Sequence, residues 1–361
     1  MDGLLYILMI CLFMLFIWIT YIIYNVIYFP MKAFYLIPRK IRDWSLLLKF
    51  GVTNRSNTFV QIDDRFNSLD EVKKAMRVNG LTKCQLIIGI DFTASNEWQG
   101  RKTFGGRSLH HITIEPKSKR ISKWNPYQRV IRAIGDGLQE FDEDNLIPAF
   151  GFGDERSKDH GVFPLMDDPL PCKGIDEVLE RYTRTVGSVS LSGPTSFAPI
   201  IHKAIAIVEM TQEYHILLII ADGRVENMQD LETRNAIVDA SNFPLSIVLV
   251  GVGDGPWDMM HEYDDKLPLR RFDNFQFVEF VEKKASRFSR EFDDEFALRA
   301  LMEIPDQYKA IRSLDMLKTN DNSNIKMNHY ESRRKDSRES RHPELIVTHR
   351  RSHDGILETD L

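Results

Sequence analysis

Leu86-Ile87-Ile88-Gly89-Ile90-Asp91-Phe92-Thr93-Ala94-Ser95 decides how this chain is read. Its first five residues carry no polar alternation, which describes a strand buried on both faces of a parallel sheet. The acid and two hydroxyls that follow at alternate positions stand where such a strand would end. Three further runs share the character: Leu146 to Phe152, Ile216 to Ile220 and Leu245 to Val252. Between them lie amphipathic stretches of helical period, at roughly Pro126 to Phe141, Ile175 to Val186, Phe197 to Met210 and Asp230 to Ser241. Asn125-Pro126 offers a cap and a first-turn proline to the first of these. Ser68-Leu69-Asp70-Glu71 resembles a capping box, opening an earlier helix that ends near Gly80. Strands alternating with helices imply an α/β fold with a doubly wound, mostly parallel sheet flanked by helices. After Val252 the sequence reads as a Gly/Asp-rich turn and further short helices, up to about Lys318.

Ligands of open α/β sheets sit at the carboxyl ends of the strands. Asp91, Thr93 and Ser95 follow the first run, and Ala221-Asp222-Gly223 follows the third. Gly193-Pro194-Thr195-Ser196 puts another hydroxyl in a tight loop, before the helix beginning near Phe197. Taken singly, such pieces are caps and turns. Together they offer two carboxylates and three hydroxyls, an all-oxygen set of low charge. Magnesium suits it, since that ion takes octahedral oxygens, uses one or two carboxylates and keeps several waters. The lack of cysteine and histidine argues against zinc. Gly251-x-Gly253-x-Gly255 has the wrong spacing for a dinucleotide loop and no evident following helix, so it reads as a turn. His110-His111 reads as part of an edge strand, packed or solvent-exposed, and Glu140, Asp142, Glu143 and Asp144 as a solvated corner. No serine–histidine–acid or cysteine–histidine nucleophile has a credible context, so the chain reads as non-enzymatic.

The 361 residues hold 47 lysines and arginines against 52 acids. Residues 31–56 carry six bases and one acid, while 319–361 carry eight of each sign, which leaves −9 on residues 57–318. A body that acidic is unsuited to nucleic-acid phosphates. Three cysteines, Cys11, Cys84 and Cys172, exclude a disulfide-stapled scaffold and a four-cysteine zinc site. Leu4 to Phe29 is uncharged over 26 residues; as a helix it reaches about 39 Å, against roughly 30 Å of bilayer core. A cleaved signal has a shorter apolar region behind a basic start, so a transmembrane anchor over 1–30 is expected. Lys32, Arg39, Lys40 and Arg42 follow it, which places the rest of a single-pass protein on the cytoplasmic side. The expected organisation is anchor 1–30, basic juxtamembrane segment 31–56, folded domain 57–318 and polar, disordered tail 319–361. The terminal Glu358-Thr359-Asp360-Leu361 fits capture by a PDZ domain.

The three-loop pattern resembles the metal-ion-dependent adhesion site of von Willebrand factor A domains. Its wording is similar to the copine subtype at Ile90 to Asn96, at Gly193 to Pro199 and at Val250 to Gly255. The similarity to RING-type ubiquitin ligases with a copine-type A domain extends through Phe141 to Pro148, Phe272 to Val278 and Leu301 to Pro305. It covers roughly residues 57–318. The resemblance implies that Asp91, Thr93, Ser95, Thr195 and Asp222 hold Mg2+ or Mn2+. Such a set leaves the ion under-neutralised, so a cytosolic protein partner is expected to supply an acidic side chain in place of a water. Copines carry two C2 domains before the A domain, where an anchor is expected here. A RING needs eight cysteine or histidine ligands, and beyond residue 318 this sequence has no cysteine and four histidines, His329, His342, His349 and His353. Two expectations follow: a membrane-anchored, metal-dependent interaction module acting as adaptor or scaffold, or a ubiquitination-associated role as ligase or substrate-recognition component.

Overall fold

In chain order the first half forms α1 (Leu69–Val78), β1 (Gln85–Asp91), β2 (Thr113–Ile114), β3 (Ile121–Lys123), α2 (Pro126–Leu138), β4 (Leu146–Ile147), β5 (Ala149–Phe152), β6 (Val162–Pro164), β7 (Cys172–Lys173) and α3 (Gly174–Val186). The second half forms α4 (Ala198–Thr211), β8 (His215–Ala221), α5 (Asn227–Ala240), β9 (Leu245–Val252), α6 (Asp258–Asp265), β10 (Phe275–Phe280), α7 (Arg290–Leu301) and α8 (Ile304–Ser313). This computed structural model describes residues 65–115, 121–166, 170–223, 225, 227–265, 267, 269–281 and 290–317. The expected anchor 1–30, the basic segment 31–56 and the tail 319–361 lie outside the described residues. Among the described residues no helix is long and apolar enough to cross a membrane.

Local chemistry sets the helix starts. Asn125 caps α2 through a reciprocal box: its Oδ1 accepts the Gln128 N–H at 2.9 Å and its own N–H reaches Gln128 Oε1 at 3.1 Å. The Ser68 hydroxyl accepts the Glu71 N–H, but Glu71 returns its carboxylate to the Asn67 N–H rather than to the cap residue. Each such cap is worth about 1 kcal/mol.

The main sheet has the order β10-β9-β8-β1-β5-β6. Its first five strands are parallel and β6 runs antiparallel to β5. Strands β1, β8 and β9 are buried along their whole length, which is why they read as unbroken apolar runs. Leu86, Ile88 and Ile90 face a core shared with α1, α2, α3, α7 and α8, whereas Ile87 faces one shared with α4, α5 and α6. Each such side chain contributes about 1.5–3 kcal/mol of burial. Gly89 lets α4 approach, since a Cβ there would stand 2.6 Å from Ile200 Cγ1.

Three readings are corrected. The run Leu146 to Phe152 is two strands divided at Pro148, which lacks an N–H: β4 pairs antiparallel with β7, and β5 joins the main sheet. The segment expected to hold only short helices contains edge strand β10. A helix, α6, does follow the Gly251–Gly255 turn.

Chain direction fixes where a ligand can sit. From β1 the chain crosses by α2 to β5 on one side; from β8 it crosses by α5 to β9 on the other. Neighbouring strands β1 and β8 thus form the topological switch point, and the crevice opens at their carboxyl ends.

Candidate metal centre

Asp91 is the last residue of β1, and Ile90 lies opposite Ile220, so Asp91 and Asp222 emerge from adjacent strands. Thr93 forms a parallel bridge with Ser192, which draws the Gly193–Ser196 loop against the β1 loop. Asp91 Oδ1 accepts the Thr93 N–H at 2.8 Å, and the Asp222 N–H also bonds this carboxylate. Thr93 Oγ1 lies 3.0 Å from Ser95 Oγ and accepts the Thr195 hydroxyl at 3.3 Å. All five sequence-derived positions are buried. Gly153 permits this packing: at φ +82° it turns where a Cβ would stand 2.3 Å from Thr93 Cγ2 and 3.4 Å from Asp91 Oδ1.

Two features show what the arrangement favours. Burial, and then the neighbouring Asp222 charge, holds the Asp91 carboxyl well above the usual range, although the bonds from Thr93 and Asp222 oppose the shift. Asp91 Oδ2 is buried and has no hydrogen-bond partner. An orphaned carboxylate oxygen beside a second acid and three hydroxyls fits a hard divalent cation, magnesium or manganese. Asp91, Thr93, Ser95, Thr195 and Asp222 would hold it, and it would supply positive charge with a coordination position open to a partner. Ser196 Oγ, next to Thr195, is also buried without a hydrogen-bond partner, a feature not legible from the sequence.

Behind these loops lies a polar network that the sequence did not reveal. His110 is no edge-strand residue: it is buried in a turn, between the rings of Phe92 at 4.8 Å and Tyr127 at 4.3 Å. Its Nε2 lies 2.8 Å from the Asp91 carbonyl oxygen, an acceptor only, so Nε2 carries the hydrogen. Nδ1 accordingly accepts the Tyr182 hydroxyl at 2.8 Å, and that hydroxyl accepts from Asn125 Nδ2 at 2.9 Å. Burial lowers the His110 pKa to about 3 against the opposing Asp91 carbonyl, so the ring is neutral. In parallel, the Tyr127 hydroxyl donates to Asn96 Oδ1 at 2.7 Å, and Asn96 Nδ2 donates to the Thr93 carbonyl at 3.1 Å. On the Asp222 side the Trp257 ring covers Gly223 and Gly251, where a Cβ would meet it at 2.1 and 2.6 Å.

Other acids behave differently. Asp264, Asp273 and Glu303 bring carboxylate oxygens within 4.8 Å of one another. The chain's own donors serve them: Arg270 pairs with Asp273 at 2.9 Å, the Phe277 N–H reaches Asp264 at 3.0 Å and Gln307 reaches Glu303 at 3.1 Å. The corner expected to be solvated is partly built in. Glu140 pairs with Lys73 at 3.5 Å and with Arg77, and Asp142 is half-buried, its pKa raised to about 6 by desolvation and then by Asp144.

An open, mostly parallel sheet flanked by helices, with these loops at its switch point, is a von Willebrand factor A-like domain. Residues 108–320 match the family described as Copine, and the chain belongs to that family. It is 50% identical over 271 residues to E3 ubiquitin-protein ligase RGLG2 of Arabidopsis thaliana, covering 72% of this chain and 56% of that one. The chain thus spans just over half of that ligase's length. Over 283 residues it is 48% identical to Copine family protein 2 of Caenorhabditis elegans, covering 78% of this chain and 4% of the other. Among solved structures, von Willebrand factor type A from Catenulispora acidiphila matches with TM-score 0.38 and 12% identity, over 60% of this chain and 42% of that one.

Proposed function

We propose that this copine-type domain is a divalent-metal-dependent protein-interaction module without catalytic chemistry of its own. The observation that carries the reading is the buried Asp91 carboxylate, one oxygen without a hydrogen-bond partner, set beside Asp222 and three hydroxyls at the switch point. The side chains hold Mg2+ or Mn2+ by oxygen alone. Two carboxylates and three neutral hydroxyls leave the ion under-neutralised, and a partner carboxylate entering the open position adds compensation that a neutral group cannot. Thr93, Ser95 and Thr195 orient the oxygens, and the Asn125–Tyr182–His110 chain fixes the backbone carbonyl of Asp91.

In this proposal residues 1–30 anchor the chain in a membrane with the domain on the cytosolic side, and Glu358–Leu361 offers a carboxyl-terminal PDZ ligand. The domain then acts as adaptor or scaffold. The second reading, favoured by the similarity to an E3 ubiquitin-protein ligase, is recognition of substrates for ubiquitination.

Thermal melts in EDTA or magnesium, on wild type and Asp91→Ala, test the metal reading. Magnesium at 100 times its dissociation constant should stabilise wild type by about 2.7 kcal/mol and leave Asp91→Ala unmoved. A wild type that shows no shift and captures its partners equally well in EDTA refutes it.

A further inference from the structure

Between Gln99 and His111 the chain carries Arg101, Lys102 and Arg107 and no acid, in a domain region whose net charge is −9. Glu97 is the nearest acid before this stretch and Glu115 the nearest after it. The stretch leaves the metal loop directly, for the Gln99 N–H bonds the Ser95 carbonyl at 3.0 Å. The excursion has a built shape. Gly106 N–H closes onto the Gly100 carbonyl at 2.9 Å, and the Leu109 N–H returns to the Asn96 carbonyl at 2.9 Å. Asp254, in the turn after β9, takes the Lys102 and Thr103 N–H groups at 2.9 Å each and the Thr103 hydroxyl at 2.7 Å. Phe104 is buried beneath the loop, with the Arg107 guanidinium 4.9 Å from its ring centre. Arg101, Lys102 and Arg107 are exposed, and among the described residues no ion pair closer than 4 Å engages them, although the Lys102 charge acts on the Asp254 carboxylate. Trp98, at the root of the loop, is 40% exposed.

We propose that the loop Gly100–Arg107 is a second recognition element beside the metal position, taking the flanking carboxylates of an acidic protein segment. The inference rests on the metal reading above and names the partner's class: one carboxylate enters the metal position, and further acids a few residues away meet the loop. Charge complementarity selects this occupant. A compact acidic segment meets the three cations, whereas an extended anionic surface would also face the acidic remainder of the domain. The exposed indole at the loop's root favours a polypeptide, since tryptophan beside arginine is the composition of protein-binding hot spots.

The test uses the full chain and two labelled twelve-residue peptides, one with a single glutamate beside a leucine, the other with three more glutamates. Fluorescence anisotropy is read in magnesium and in EDTA. Wild type in magnesium should prefer the four-glutamate peptide at least tenfold, and 0.5 M NaCl should shrink that preference. Arg101→Ser/Lys102→Ser/Arg107→Ser should bring the preference below threefold while its magnesium-dependent melting shift persists. Arg101→Ser/Lys102→Ser, which leaves Arg107 on Phe104, should fall between the two. Trp98→Ala should weaken both peptides alike. An unchanged preference in the triple variant overturns the proposal, as does failure of wild type to bind either peptide at 1 mM. Loss of binding to phosphatidylserine vesicles in the triple variant, with peptide binding unaltered, assigns the loop to a membrane surface and likewise overturns it. Equal peptide binding in EDTA sinks the metal reading alone, because the loop is judged by the preference between peptides.

Discussion

Asp91→Asn isolates the electrostatic cost of the proposed metal centre in the metal-free protein. The substitution keeps Oδ1, which accepts the Thr93 N–H at 2.8 Å, and replaces the partnerless Oδ2 by an amide that can donate toward Asp222. Burial and the Asp222 charge hold the Asp91 carboxyl well above its usual range, so near neutral pH the metal-free fold retains a proton that the unfolded chain releases. Taking up that proton on folding costs stability, and an amide avoids it. Replacing the carboxyl should therefore raise the stability of the metal-free fold by about 1–3 kcal/mol. At about 2–4 °C per kcal/mol for a domain of this size, the melting temperature in EDTA rises by roughly 2–12 °C. Magnesium should then stabilise wild type and leave the variant where it was, so the ranking of the two proteins narrows or inverts. Differential scanning fluorimetry at pH 7.5, in EDTA and in magnesium, measures all four values. A variant that melts several degrees below wild type in EDTA would show that the carboxylate is a satisfied structural group, and the reasoning fails.

Gly89→Val forces methyls into the space that Ile200 occupies and should lower stability by about 1–3 kcal/mol, with Ile200→Ala restoring part of the loss in urea titrations. Tyr182→Phe leaves His110 Nδ1 and Asn125 Nδ2 without the hydroxyl between them; a cost of about 1–3 kcal/mol and weaker magnesium binding by calorimetry are expected. Asp142 has a folded pKa raised to about 6, above its unfolded value, so the fold loses stability as pH rises from about 4 through 6 and none beyond. Asp142→Asn keeps the acceptor for the Asn145 N–H. With solvent screening of a half-exposed group, it should gain at most about 1 kcal/mol at pH 7 and nothing at pH 4 in paired melts; a gain equal at both pH values contradicts the titration argument.

The central strands were legible because burial on both faces leaves an uninterrupted apolar run, as in Ile216 to Ile220. Strand β10 was not, because Phe275-Gln276-Phe277-Val278-Glu279-Phe280 mixes polar and apolar residues at the sheet edge. Pro148 was visible within its run but not read as a division, although a residue without an N–H cannot continue a ladder. The hydroxyl loops could be read from sequence because each directly follows a strand or precedes a helix at the carboxyl end of the sheet. Their supports could not. Asn96, His110, Tyr127 and Tyr182 come from separate segments, and only the packing of α2 and α3 against β1 brings their polar atoms together. The pair His110-His111 misled for the same reason: nothing local distinguishes an edge histidine from one stacked between two rings.

The pairing of Gln85 with His215 joins residues 130 positions apart, and Thr93 is bridged to Ser192 almost as remotely. A chain emerging from the ribosome therefore presents Asp91, Thr93, Ser95 and Thr195 before Asp222 and its strand exist to complete the set. Closing so long a loop is entropically demanding, and contacts of this range form late. A cation that needs both acids cannot recruit the chain into its fold; it meets the site only after the slowest pairing is complete. If the proposed ion binds, its influence would fall on how slowly the finished domain comes apart, not on how quickly it forms.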